Sequence, residues 1–119
     1  MTGVQTCALP ILERAGSLGI AVAPGVYAAM SGPAYETPSE IELISRAGAT
    51  VVGMSVVPEV LPARALGMRV LGLGMVTNAL GEPVSHDEVV RVSNETAKAV
   101  GRLLVDLLPR IDEGADDGM

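Results

Sequence analysis

The chain of 119 residues carries 8 basic and 14 acidic side chains, a formal charge of −6 at neutral pH, which argues against a nucleic-acid or anionic-membrane surface. Apolar residues make up 49% of it, enough for one core and against bulk disorder, at a length that fits one domain or part of one. With no Phe, no Trp, two Tyr, one Cys and one His, it lacks aromatic platforms for single-stranded nucleic acid, cannot close an internal disulfide and cannot build the usual structural zinc sets, so no metal is expected and the expected setting is reducing and cytoplasmic.

Residues 1–11, MTGVQTCALPI, resemble a translated sequencing-adapter remnant and join the following residues without a shared hydrophobic period. They are read as a non-native segment on a truncated reading frame, which would make Cys7 non-native. No charge occurs from Met1 to Leu12, so the basic region of a secretory signal is missing. Ala15 to Tyr35 is also uncharged, but Gly16, Gly19, Pro24, Gly25, Gly32 and Pro33 break it into pieces too short for a membrane span.

From Leu12 onward strand and helix signals alternate. Ile20 to Met30 is a β-type run interrupted at Pro24-Gly25 and ended by Gly32-Pro33. Thr37-Pro38-Ser39-Glu40 is a helix start, with Thr37 as N-cap, Pro38 at the first helical position and Glu40 closing a capping box. Ile41, Ile44 and Ala47 continue it at helical spacing, and Gly48 stops it. Ala49 to Met54 reads as a strand buried on both faces. Pro58-Glu59 opens a second helix to about Leu66, closed by Gly67, with Pro62 expected to kink or shorten it. Arg69 to Val76 reads as a further strand, so Gly48 to Asn78 has the length of a strand–helix–strand crossover joining parallel neighbours. Last, Ser85-His86-Asp87-Glu88 is a second capping box, and Val89, Val92, Thr96, Val100, Leu103 and Leu107 form one helical stripe ending at Pro109. The class is α/β, and residues 112–119 form an acidic tail expected to be disordered.

Open parallel sheets bind ligands beyond the carboxyl ends of their strands. Ser55 and Asn78 fall at two such ends and are expected to face one crevice, unless Ser55 only caps the following helix and Asn78 only turns the chain. The loop Ser31–Thr37 adds Tyr35, whose ring can stack on a flat ligand, beside Glu36, which can accept hydrogen bonds from ligand N–H groups or simply sit near a helix N-terminus. His86, at a positive helix end, favours its neutral form. Gly72-Leu73-Gly74 lies within a strand signal, without the third glycine or following helix of a dinucleotide fingerprint.

GVYAAMSGPAYETPSEIELI (25–44), GATVVGMSVVPEVLPAR (48–64), VTN (76–78) and SHDEVV (85–90) together resemble the C-terminal half of the trimeric purine nucleoside phosphorylases. The similarity covers roughly Leu12 to Pro109 and implies that residues 12–111 are the C-terminal part of a mixed or parallel central sheet flanked by helices and closed by a long helix. It implies phosphorolysis of inosine and guanosine type (deoxy)nucleosides to free base and (deoxy)ribose 1-phosphate, with inorganic phosphate as co-substrate and no cofactor. Negative charge develops on the purine as the glycosidic bond breaks, so a donor at N7 and O6 lowers the barrier; the resemblance gives that role to Asn78. It also implies that Glu36 accepts from the base N1–H, Tyr35 lies against the base, Met54 packs under the ribose, Ser55 contacts phosphate and His86 reaches the ribose 5′-hydroxyl.

The sequence departs from the family at Val56, where Thr is usual, and at Pro62, where an aliphatic residue is usual. The glycine-rich phosphate loop and basic phosphate ligands of the family's N-terminal half have no counterpart, so the resemblance implies a homotrimeric parent enzyme and little activity in this fragment. Two alternatives stay open: a non-catalytic purine-binding or interaction remnant, and a phosphorylase of 5′-modified nucleosides such as methylthioinosine.

Overall fold

The computed structural model describes residues 8–79 and 85–111. Cys7 and the acidic tail from 112 lie outside them. The described elements are α1 (Ala8–Ser17), β1 (Tyr27–Ala29), α2 (Pro38–Arg46), β2 (Val51–Gly53), α3 (Val57–Ala65) and α4 (His86–Ile111). They fall into two compact units, one holding α1 and α4 and the other spanning Gly25 to Val84. The fold is α/β, with a small parallel sheet and a long C-terminal helix. Among the described residues no helix is long and apolar enough to cross a membrane.

In the first unit α4 has 26 residues, about 39 Å at 1.5 Å per residue. Its first intrahelical bond runs from Val89 N–H to the Ser85 carbonyl at 3.0 Å. The expected stripe is the buried one: Leu103 and Leu107 are in the core, and Val89, Val92, Thr96 and Val100 are half-buried. Contrary to expectation the helix does not end at Pro109 but runs on to Ile111. Pro109 removes one donor from the last turn, where the loss of a single bond is small beside the packing of Leu103 and Leu107.

Helix α1 is not among the elements expected from the sequence pattern. It begins at Ala8 and runs without a break through the residue 11/12 boundary set for the non-native segment. Ile11, Ala15 and Leu18 recur at helical spacing and pack, with Ile20, around Leu103 and Leu107. Arg14 adds a two-pronged ion pair across the helices, Nε to Asp106 Oδ2 and Nη2 to Oδ1 at 2.6 Å. The hydrogen bonds that Arg14 donates to Asp106, and then the charge of that carboxylate, raise the Arg14 pKa further above its already high value.

The second unit is a β1–α2–β2 crossover. Its strands pair in parallel with Tyr27 opposite Val51, Ala28 opposite Val52 and Ala29 opposite Gly53. Parallel strands require such a helical return, because a tight hairpin cannot reverse the chain twice. Helix α2 starts as the sequence specifies. Thr37 is the N-cap, its backbone N–H donates to Glu40 Oε2 at 2.7 Å, and its Oγ1 accepts from Glu40 N–H at 3.4 Å. The same carboxylate accepts from the Thr37 hydroxyl at 2.8 Å. These bonds, that of the backbone first, hold the Glu40 carboxyl below the usual glutamate range.

Helices α2 and α3 end in the same motif. Gly48 (φ +92°) donates to the Ser45 carbonyl at 2.9 Å and Ala49 to that of Ile44 at 3.0 Å. Gly67 (φ +76°) donates to Arg64 at 3.0 Å and Met68 to Ala63 at 2.9 Å. This paired capping needs a left-handed residue, which glycine adopts without a Cβ clash. Both expected stops are therefore located correctly.

Three strand expectations are corrected here. The run Ile20–Met30 forms a strand only at Tyr27–Ala29, and Ala49–Met54 only at Val51–Gly53. Helix α3 continues through Pro62 to Ala65, because proline deletes only the one bond to the Pro58 carbonyl. The segment Arg69–Val76 is not a strand: it forms no ladder among the described residues, and the sheet there has the two strands β1 and β2. A strand exists only with a hydrogen-bonding neighbour, whatever its apolar content. No residue described in this unit is fully buried, and Val70, Leu71, Met75 and Val76 are exposed.

Candidate active site at the strand ends

Both strands point their carboxyl ends the same way, which brings the loops following them together. Met30 N–H donates to the Gly53 carbonyl at 2.9 Å, carrying the pairing one residue past β1. Beyond it, the loop 31–37 meets the residues that follow β2. The Met54 thioether lies against Gly32 so closely that a Cβ at residue 32 would collide with Sδ. Tyr35, Glu36, Met54 and Ser55 thus stand on two loops joined by a direct contact. Tyr35 is 64% and Met54 49% exposed, whereas Glu36 is half-buried. This surface is open, apolar in part, and carries one carboxylate.

Ser55 occupies a turn with unusual geometry. Val56 has φ +72° and ψ −57°, and Val57 N–H donates to the Ser55 carbonyl at 2.8 Å. That is a γ-turn of the rare positive-φ kind. In a β-branched residue such a conformation costs roughly 1–3 kcal/mol and persists only where the surroundings hold it. Val56 itself is the N-cap of α3, and no side chain caps that helix. The Ser55 hydroxyl is therefore not used as a helix cap, which removes the structural alternative weighed for it. Its backbone N–H donates to the Tyr27 hydroxyl at 3.2 Å.

Asn78 follows the segment 68–77, which passes near the Ser55 turn: a Cβ added at Gly72 would lie 3.8 Å from Val56 Cγ1. The crevice expected from a third paired strand is not formed through a ladder, so the juxtaposition of Asn78 with Ser55 does not follow from sheet order. Asn78 is half-buried, and its Oδ1 accepts from the Thr77 hydroxyl at 2.9 Å. That bond commits the carbonyl end of the amide and leaves Nδ2 to donate elsewhere. His86 belongs to the other unit, where it is the exposed first residue of α4.

Sequence reasoning missed Tyr27, Gly53 and Val56. Gly53 was the available signal, since a glycine inside a valine-rich strand marks a close approach. A Cβ there would collide with the Tyr27 hydroxyl and lie 3.0 Å from its Cζ.

A parallel strand pair crossed by a helix, with polar loops gathered at its carboxyl ends, defines an α/β protein of the kind that binds small molecules at strand ends. The model of the phosphorylase superfamily matches residues 6–109, and the chain belongs to that superfamily. It is 47% identical over 93 residues to the purine nucleoside phosphorylase of Mycobacterium tuberculosis, covering 75% of this chain and 35% of that protein. It is 40% identical over 106 residues to the S-methyl-5′-thioadenosine phosphorylase of Thermofilum pendens, covering 86% of this chain and 40% of that one. Its fold superposes on the Schistosoma mansoni purine nucleoside phosphorylase in complex with adenosine with a TM-score of 0.79, at 29% identity, over 88% of this chain and 40% of the other. The chain therefore spans little more than a third of the length of these relatives.

Proposed function

We propose that this chain is the carboxyl-terminal part of a purine nucleoside phosphorylase and contributes the base, ribose and one phosphate contact of its active site. The observation that carries the reading is the superfamily match over residues 6–109, which contains every candidate residue, together with 47% identity to a relative of that activity. In the reaction a phosphate oxygen bonds to C1′ of the ribose as the C1′–N9 bond breaks. The bonding pair leaves on the purine, which departs as neutral base carrying the proton released by phosphate.

Asn78 stabilises the charge that grows on the purine, because Nδ2 can donate to N7 or O6 while Thr77 holds Oδ1. Glu36 accepts from the base N1–H, Tyr35 covers the base, Met54 packs beneath the ribose and His86 binds the 5′-hydroxyl. A neutral carboxamide matches a 6-oxopurine better than a 6-aminopurine, so inosine and guanosine are the favoured substrates. Ser55 meets the phosphate. A dianion met by one hydroxyl is bound only weakly for want of charge partners, so the 119-residue chain alone has little or no phosphorolytic activity, and the working enzyme is a homotrimer of longer chains.

Calorimetric titration with hypoxanthine and guanine tests the base half of the site. Binding that both Asn78→Ala and Glu36→Ala weaken supports the reading. Folded chain with no heat of binding, or binding that neither substitution alters, sinks it.

A further inference from the structure

We propose that Tyr27 is a positioning residue for the phosphate contact, holding Ser55 in its strained turn from the neighbouring strand. The inference rests on the reading of Ser55 as a phosphate ligand and adds a residue that no resemblance supplied. Tyr27 pairs with Val51 at the start of the ladder, yet its side chain extends along β2, across Gly53, to the N–H of Ser55 at 3.2 Å. The path is open only because residue 53 has no Cβ. One phenol thereby reaches past the end of β2 and ends on the residue just before the positive-φ Val56.

The arrangement follows from what the turn demands. An outlying backbone conformation is kept only where several contacts specify it together. On its C-terminal side the turn is held by α3, with the Val56 carbonyl accepting from Glu59 N–H at 3.2 Å and Val60 N–H at 3.0 Å. From the side, Gly72 runs close enough that a Cβ added to it would meet Val56 Cγ1 at 3.8 Å. Before it, the Tyr27 hydroxyl is the contact that fixes the amide of Ser55. Because that amide is already engaged, the Ser55 hydroxyl, not its own N–H, is the group left to meet an anion. Tyr27 acts on the ligand through Ser55.

The test uses the intact 119-residue chain in ¹⁵N-edited NMR. Amide exchange is measured for Ser55 and for Met30 and Val51, which mark the strand pairing, and inorganic phosphate is titrated against a potassium chloride series of equal ionic strength. In Tyr27→Phe the loss of one hydrogen bond is expected to speed Ser55 exchange about tenfold and raise the phosphate midpoint at Ser55 about tenfold, with Met30 and Val51 unchanged. Gly53→Ala, which displaces the ring without touching the phenol chemistry, is expected to give the same two changes, and the double variant no more than either. Unchanged Ser55 exchange in both variants overturns the link. Faster exchange with an unmoved phosphate midpoint makes Tyr27 merely structural and overturns its positioning role. Wild-type Ser55 that responds to phosphate no more than to chloride overturns the phosphate reading itself, an outcome told apart by the titration of the unsubstituted chain.

Discussion

Leu103→Ala should undock α1 from α4. Leu103 is 1% exposed and lies in a core whose other buried members are Leu107 and Ala15, with Ile11, Leu18 and Ile20 at its edge. Truncation removes a buried isobutyl group and leaves a cavity. Ala15, at 0% exposure, has no side-chain reach with which to refill it. Leu-to-Ala changes in such sites cost about 2.7–5.0 kcal/mol, and poor refilling places this one in the upper half of that range. Whole domains are stable by only about 5–15 kcal/mol, so the loss is a large part of what so small a core can supply. Val105 is two residues away on the same helix but 75% exposed, and Val105→Ala should stay within about 0.5 kcal/mol of the parent. Urea unfolding followed by far-ultraviolet circular dichroism measures both, with the slope checked for constancy so that midpoints are comparable. Equal midpoints for the two variants would refute the assignment of the core to this helix face.

Two further outcomes follow from the second unit. Glu40 has a folded pKa below its unfolded one, so its contribution to α2 is complete above the unfolded value and is lost as pH falls through the folded value. The Thr37 amide shift should accordingly titrate with a midpoint below the usual glutamate range, and Thr37→Ala, which costs about 1 kcal/mol of capping, should return that midpoint toward normal; an unshifted midpoint in the parent chain counts against the capping box. Val56→Gly should change stability by less than about 1 kcal/mol, since relief of roughly 1–3 kcal/mol of backbone strain offsets the glycine entropy and the lost packing of a half-buried valine side chain. A loss as large as that of a buried valine, measured in the same urea series, would mean that the positive φ of Val56 stores no strain.

The elements legible in the sequence are those whose signals close within a few residues. The capping box at Thr37–Glu40, the glycine stops at 48 and 67 and the apolar stripe of α4 all appear where the pattern places them. Helix α1 is not among the expected elements although Ile11, Ala15 and Leu18 carry its period, because reading residues 1–11 as a non-native segment divides that period at the 11/12 boundary. At the site, Tyr35, Glu36 and Ser55 could be singled out by their place after strand signals and Met54 by the family resemblance, and the structure gathers them on two touching loops. Tyr27 could not be singled out in that way.

By itself the sequence determined the α/β class, the family, the helix boundaries set by local caps and the residue types on the strand-end loops. Tertiary structure decided which extended segments pair: Tyr27–Ala29 joins Val51–Gly53, while the equally apolar Arg69–Val76 joins no ladder among the described residues. It also decided that a tyrosine on one strand holds the serine beyond the next. The physical reason is the range of the bonds involved. A cap or a glycine stop is satisfied by neighbours three to five positions along the chain, so its residues specify it. A parallel ladder and a side chain laid across it draw on partners more than twenty residues away, and any apolar run can compete for them.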